Sequence, residues 1–203
     1  MELGIDILAM LFAAAFIAAF IDAIAGGGGL ITIPALLMTG MPPAMALGTN
    51  KLQAFGGALS ASIYFLRKRA VNLSEFSFIL LVIFIGSVIG TLLIQNLDAS
   101  LIKKGLPFLI LAIGLYFLFT PKLGESDRKQ RISYVVFALC FGSLLGFYDG
   151  FFGPGTGSLM NLACVTLLGF NLTKATAHAK VMNLTSNFAS LIFFFIGGHV
   201  IWT

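Results

Sequence analysis

The chain has 203 residues, of which 59% are hydrophobic and 10% charged, and its mean hydropathy is +1.02. Soluble domains carry roughly 25% charged residues, so a water-driven globular core is excluded and an integral membrane protein is indicated. The formal net charge of +4 does not imply a nucleic-acid partner, because the basic residues sit in short loops between apolar stretches, where they set orientation.

Apolar stretches run near 4–25, 28–40, 44–66, 76–97, 100–120, 133–152, 155–170 and 174–198. Glu2 and Asp6 accompany the first of them, whereas a signal peptide would open on a basic region and end at a cleavage site, so this segment is expected to be retained. Most stretches reach the ~20 residues needed to cross ~30 Å of hydrocarbon. Those beginning at 28 and 155 are shorter, and each starts at a glycine run, Gly26 to Gly29 and Gly153 to Gly157. Each is expected to be a half-helix, or one limb of a hairpin bent at membrane depth. Segments of alternating apolar and polar residues are absent, which argues against a β-barrel. The expected fold is all-α: a polytopic transmembrane helix bundle forming a single membrane domain over 1–203.

One pattern occurs twice. Asp22 is followed by Gly26 to Gly29, a turn at Gly40 to Pro43, and a small-residue helix from Ala44 to Lys51. Asp149 is followed by Gly153 to Gly157, a turn at Gly169 to Asn171, and a helix from Thr173 to Lys180. Repeated helix breaks within apolar sequence are the mark of a transporter built from internal repeats, with its site where they meet. The first repeat is assigned to 1–120 and the second to 133–203. Five segments, an odd number, separate corresponding points, so the repeats are expected to be inverted. The second is incomplete: 76–97 and 100–120 have no counterpart, so the chain is expected either to be truncated or to cover the gap with another subunit.

Basic clusters give an orientation. Arg67-Lys68-Arg69 and the loop with Lys122, Arg128, Lys129 and Arg131 are separated by two crossings, which places loops 67–75 and 121–132 in the cytoplasm and both His199 and the N-terminus outside. Lys103-Lys104 runs against this scheme.

The same count gives the lysines a depth. Lys51 lies about eight residues into its helix, roughly 12 Å, and Lys180 about seven residues, roughly 10 Å, from the opposite face. A charge this deep costs ~2.5–3.5 kcal/mol even on lenient scales, so it is expected to face a cavity or a partner. The competing reading is that the lysines snorkel to the interface. The candidate substrate-binding residues are Lys51 with Thr49, Asn50 and Gln53, and Lys180 with His178 and Asn183. Gly27, Gly28, Gly155 and Thr156 join them, because a helix restarting after a glycine break offers backbone N–H groups to an oxyanion; close helix packing is the alternative use. Asp22 and Asp149 are read as proton-coupling or structural, with either one a resting counter-ion for a lysine. Lys51→Met is expected to abolish flux yet spare folding, on the reasoning that an unpaired buried cation is lost. His199 and Trp202 are read as interfacial, and Gly86 to Gly90 as a helix-packing stripe. Cys140 and Cys164 are read as packed small hydrophobes, and neither a metal nor a cofactor is expected.

The strings Phe20 to Leu36 and Gly48-Thr49-Asn50-Lys51-Leu52-Gln53, with Gly146 to Pro154 and Ala175 to Lys180, resemble the TauE/SafE family of sulfite exporters, also called toluene sulfonate uptake permeases, within it the YfcA-like branch. The resemblance implies a bacterial inner-membrane secondary transporter of small anions such as sulfite, sulfonates or related sulfur-containing organic anions. It also implies further transmembrane sequence beyond Thr203. A non-transporting membrane sensor or assembly partner is the alternative reading. An intramembrane aspartyl protease fits less well, because its Gly-x-Gly-Asp motif is absent, and no enzyme activity is expected. The expected partners are a small anion, the lipid bilayer and a second copy of the chain.

The incomplete repeat makes a prediction. The 203-residue chain alone should pair with a second copy or transport poorly, and added downstream sequence should restore flux; detergent-solubilised mass and flux on both lengths test this, with a fully active monomer as the contrary result.

Overall fold

Glycine, proline and capping residues divide the apolar sequence into helices. The computed structural model describes residues 4–119 and 126–200; Glu2, Lys122 and Trp202, used above, lie outside them. Among the described residues there are eight helices and no strand. They are α1 (Ile5–Ala25), α2 (Gly29–Met38), α3 (Pro43–Arg67), α4 (Leu73–Gln95), α5 (Ala99–Phe119), α6 (Tyr134–Phe151), α7 (Thr156–Leu167) and α8 (Leu172–Ile196). Each corresponds to one of the expected apolar stretches.

The windows Ile5–Ala23, Leu73–Gln95, Tyr134–Phe151 and Leu172–Ile196 are long and apolar enough to cross a membrane. Helices α2 and α7 have 10 and 12 residues. At 1.5 Å per residue they extend ~15–18 Å, about half of a hydrocarbon core.

The helix starts are chemically marked. Pro43 opens α3, where a missing N–H costs nothing. The side chain of Asn72 accepts from the Ser74 N–H at 3.2 Å to start α4, and that of Asn171 accepts from the Lys174 N–H at 2.9 Å to start α8. Ser133 caps α6 through the Val136 N–H at 3.3 Å. Within α6, Phe137–Gly142 is wound as a π-helix.

Packing is tightest between α4 and α6. A Cβ on Gly90 would lie 2.8 Å from the Phe151 nitrogen, and one on Gly146 would lie 2.9 Å from the Ile83 Cα. The Gly86 to Gly90 stripe thus meets a second one, Gly146 and Gly150, with backbone against backbone, as small residues allow in membranes. Around this seam the interior is studded with short polar groups. Ser87 Oγ donates to the Ser186 carbonyl at 2.7 Å and lies 2.7 Å from Ser190 Oγ, and Thr91 Oγ1 donates to the Gly150 carbonyl at 3.2 Å.

Two apolar clusters flank the polar seam. Phe76, Ile83, Phe137, Met160 and Met182 join α4, α6, α7 and α8, while Ile33, Leu47, Ile94, Leu106 and Phe194 join α2, α3, α4, α5 and α8. Large apolar side chains also face outward, among them Phe12, Phe16 and Phe20 on α1 and Leu81, Ile85 and Ile89 on α4. An apolar exterior around a partly polar interior suits a bundle whose solvent is lipid.

Replacing Gly90 by Leu should wedge α4 from α6 and lower stability by about 1–3 kcal/mol or more. Gly57→Ala, which would meet nothing within 4 Å, should leave thermal unfolding in detergent unchanged or raise it.

Candidate functional site

Two breaks in the chain meet inside the bundle. Helix α1 stops because Gly26 turns left-handed at φ 81°, and α7 is preceded by Gly153 at φ 90° and Gly155 at φ 74°. Gly26 lies directly on Gly157: a Cβ on the first would be 2.6 Å from the Gly157 carbonyl carbon, and a Cβ on the second 2.8 Å from the Gly26 Cα. The Ser158 N–H donates to the Gly26 carbonyl at 3.2 Å. Only glycine permits this approach. The second break is stitched by the Tyr148 hydroxyl, which donates to the Pro154 carbonyl at 2.6 Å, and by Thr156 Oγ1, which donates to the Gly153 carbonyl at 2.8 Å.

Both deep lysines reach these breaks. Lys51 on α3 places Nζ 2.8 Å from Asp149 Oδ2 on α6, with the side chains 1% and 3% exposed. Its ammonium abuts Gly153, where a Cβ would lie 2.8 Å from Nζ. Lys180 on α8 lies 3.5 Å from Asp22 Oδ2 on α1, with the side chains 5% and 19% exposed, and it also donates to the Asp22 backbone carbonyl. Each lysine therefore pairs with the aspartate of the opposite half. Reciprocal contacts of this kind arise when two like units face each other about a two-fold axis.

Asp22 does more than balance charge. Its Oδ1 accepts the Gly28 N–H at 3.1 Å, at the start of α2. Helix N-termini favour anions through their free N–H groups and dipole. The Asp22 carboxylate thus sits where an anion would be held, between a helix N-terminus and an ammonium.

A narrow cleft of about 20 Å³ borders this carboxylate, lined by Asp22, Gly28, Gly29, Thr32, Asn50 and Gln53 among others. It has room for about one water. Thr32 Oγ1 donates to Asn50 Oδ1 and Gln53 Nε2 donates to the Ala15 carbonyl at 2.9 Å. Thr49 and Gln53 also line a wider, largely apolar space of about 270 Å³ between α1, α2 and α3.

The remaining candidates are distributed unevenly. Asn183 lies at the second break, its Nδ2 2.8 Å from where a Gly157 Cβ would be, and its side chain accepts from Asn187. Thr156 is buried and opens α7 after the left-handed Gly155, and Gly27 is buried in the first break. His178 is not brought to Lys180. Its Nδ1 lies 2.8 Å from the Lys174 carbonyl, and its ring sits 4.7 Å from each of the Phe76 and Phe170 rings. Two residues along a helix is about 200° around it. Thr32 and Tyr148, which sequence reasoning did not single out, also stand at the site; Tyr148 directly precedes Asp149, and Thr32 is the polar residue of the otherwise apolar α2.

The expectation that Lys51→Met spares folding requires correction. It treated Lys51 as an unpaired cation, but Lys51 is ion-paired to a buried Asp149. Removing one member leaves the other stranded in a medium of low dielectric.

Comparison with known proteins follows the same lines. The family model described as sulfite exporter TauE/SafE matches residues 11–203. A Haemophilus influenzae protein named "Probable membrane transporter protein" is 74% identical over 202 residues, covering 100% of this chain and 79% of its own length. "Probable membrane transporter protein YfcA" of Escherichia coli K12 is 56% identical over 196 residues, covering 97% of this chain and 73% of its own. A Sinorhizobium relative, "Probable membrane transporter protein ORF9", is 49% identical over 201 residues, 99% of this chain and 77% of its own. No solved structure matches the chain.

Lys51→Met should lower stability by about 3–5 kcal/mol, and Lys51→Met/Asp149→Leu should recover most of that loss. Lys180→Met should cost less, because Asp22 retains the Gly28 N–H and is 19% exposed. Thermal unfolding of the variants in one detergent measures the order; equal losses for both lysine variants, with no recovery in the double variant, would contradict the pairing.

Proposed function

We propose that this chain, which belongs to the sulfite exporter TauE/SafE family of membrane transporters, carries small anions by letting them displace its internal carboxylates from buried lysines. The observation that carries the reading is the placement of the Asp22 carboxylate, held by the Gly28 N–H and facing the Lys180 ammonium. A sulfite or sulfonate group offers the same ligands, negative oxygens, to the same donors. An ionised Asp22 would repel it, so Asp22 must take up a proton or swing away as the anion enters. By the first route, anion and proton movement are coupled at one residue. Lys51 and Asp149 form the reciprocal pair between the halves, sealed more tightly.

Sulfite is proposed as a substrate on the strength of the family description, and sulfonates and related sulfur-containing organic anions because they present the same negative oxygens. The repeats at 1–120 and 133–203 are proposed to be inverted in a bacterial inner membrane, with loops 67–75 and 121–132 in the cytoplasm. The reciprocal lysine–aspartate contacts support the repeats facing each other, and the basic clusters support the placement of the loops. Pairing of each aspartate with a lysine also favours transport over aspartyl protease chemistry, in which two carboxylates share a proton.

Flux in proteoliposomes, with sulfite, thiosulfate, sulfonates and carboxylates as a panel, tests the proposal. Lys180→Met should weaken apparent anion affinity about 10- to 100-fold, the worth of a charge-assisted hydrogen bond. Asp22→Asn should retain anion binding while losing the response of flux to an imposed pH gradient. Unchanged flux in Lys180→Met, or transport of neutral solutes alone, would refute the assignment.

A further inference from the structure

A second cationic site lies at one end of the bundle, away from the buried pairs. Arg128, Lys129 and Arg131 follow one another closely in the segment before α6. This segment is fastened to the turn between α7 and α8 by its backbone. The Arg128 N–H donates to the Gly169 carbonyl at 2.7 Å and the Arg131 N–H donates to the Leu167 carbonyl at 3.0 Å. The Asn171 N–H completes the seam by donating to Asp127 Oδ1 at 2.7 Å. Gly169, at φ 73°, makes the close approach possible.

Between segment and turn lies a cavity of about 680 Å³, lined by the three cations with Gln130, Val165 and Thr166 around Gly169. Among the described residues, none of the three cations forms an ion pair. The neighbouring carboxylate, Asp127, is engaged with Asn171. The hydroxyl of Thr166 donates to the Leu162 carbonyl at 2.7 Å, and Gln130 Nε2 donates to the Ile132 carbonyl at 2.7 Å. Three cations stand against the single carboxylate of Asp127, so the net charge at this cavity is positive, and two guanidinium forks suit the tetrahedral oxygens of a phosphate.

We propose that this cavity binds the phosphodiester headgroup of an anionic membrane lipid. Its volume is many times that of a single water, ~30 Å³, and accommodates a glycerol as well as a phosphate. It opens at the ends of apolar helices, where headgroups lie, and Val165 in its wall adds an apolar contact. Basic pockets at the ends of membrane helices hold such headgroups by charge and by apolar contact together. The site uses none of the residues assigned to substrate, so it stands or falls independently of the transport reading.

The test titrates the full chain in neutral detergent with fluorescently labelled phosphatidylglycerol and, separately, phosphatidylcholine, reading anisotropy. Phosphatidylglycerol should bind and phosphatidylcholine should not. The triple variant Arg128→Gln/Lys129→Gln/Arg131→Gln should weaken binding about a hundredfold, roughly fivefold for each cation lost. Free glycerol phosphate should fail to displace the lipid at comparable concentration. Equal binding of the two lipids, an unchanged triple variant, or displacement by free glycerol phosphate, which would mark a soluble-phosphate site, each overturns the proposal. Should the triple variant not fold, Arg128→Gln and Arg131→Gln alone and the salt dependence of the unaltered protein decide. Binding to the unaltered protein that is indifferent to salt would be fatal.

Discussion

The arrangement of the whole bundle depends on satisfying two ammonium groups and two carboxylates away from water. Neither Lys51 nor Asp149 can be held alone in an apolar medium, because the desolvation of either charge is compensated only by the other at 2.8 Å. That contact ties α3 to α6, and the Lys180–Asp22 contact ties α8 to α1. Both cross between the halves of the chain, so neither half is electrostatically complete without the other. The glycine breaks follow from the same demand: side chains at Gly26, Gly153 or Gly157 would occupy the space where backbone and ammonium now meet. The two pairs are unequal in seal, and the looser one is the one joined to a helix N-terminus. Under the proposed exchange of carboxylate for anion, the looser pair is the one that opens at lower cost.

The distribution of polarity explains how a chain this apolar still specifies one packing. Lipid gives no preference for burying Phe over exposing it, so the phenylalanines of α1 face outward at little cost. Direction comes instead from Ser87, Thr91 and Ser190, whose hydroxyls find partners on neighbouring helices inside the bundle, and from glycines that let α4 and α6 approach to backbone distance. Hydrogen bonds and close packing thus take over the role that hydrophobic burial plays in water.

Much of this was legible in the sequence, for identifiable reasons. The helix limits could be read because Gly26, Pro43, Gly153 and Gly169 interrupt apolar runs, and such interruptions have few structural alternatives in lipid. The importance of Lys51 and Lys180 could be read from the cost of their depth. Which aspartate each lysine meets could not, since that depends on how the halves are juxtaposed and no local pattern encodes it. The same ignorance produced the mistaken view of Lys51 as unpaired. For His178 the sequence leaves a titratable site and simple packing both open, and helical geometry turns the ring toward Phe76 and Phe170. Thr32, bonded to Asn50, is the polar residue of the otherwise apolar α2, but a lone hydroxyl in such a helix can also bond its own backbone, so its partner on α3 could not be read from the sequence.

The π-wound stretch Phe137–Gly142 of α6 bears on how such a helix tolerates change over time. A π turn contains one residue more than an α turn, so it shifts the angular phase of everything after it by roughly 100°, one residue's rotation. In α6 this shift lets buried Phe137 and Ala138 share one flank with Gly142 and Gly146, although the spacing from 138 to 146 spans the irregular turn. The turn acts as a register adjuster: it absorbs an odd residue at the aromatic end of the helix while the glycine ridge against α4 stays in phase. Insertions and deletions of single residues among relatives of this chain should therefore be accommodated at this turn sooner than anywhere else along α6, where the same event would rotate Asp149 away from its lysine.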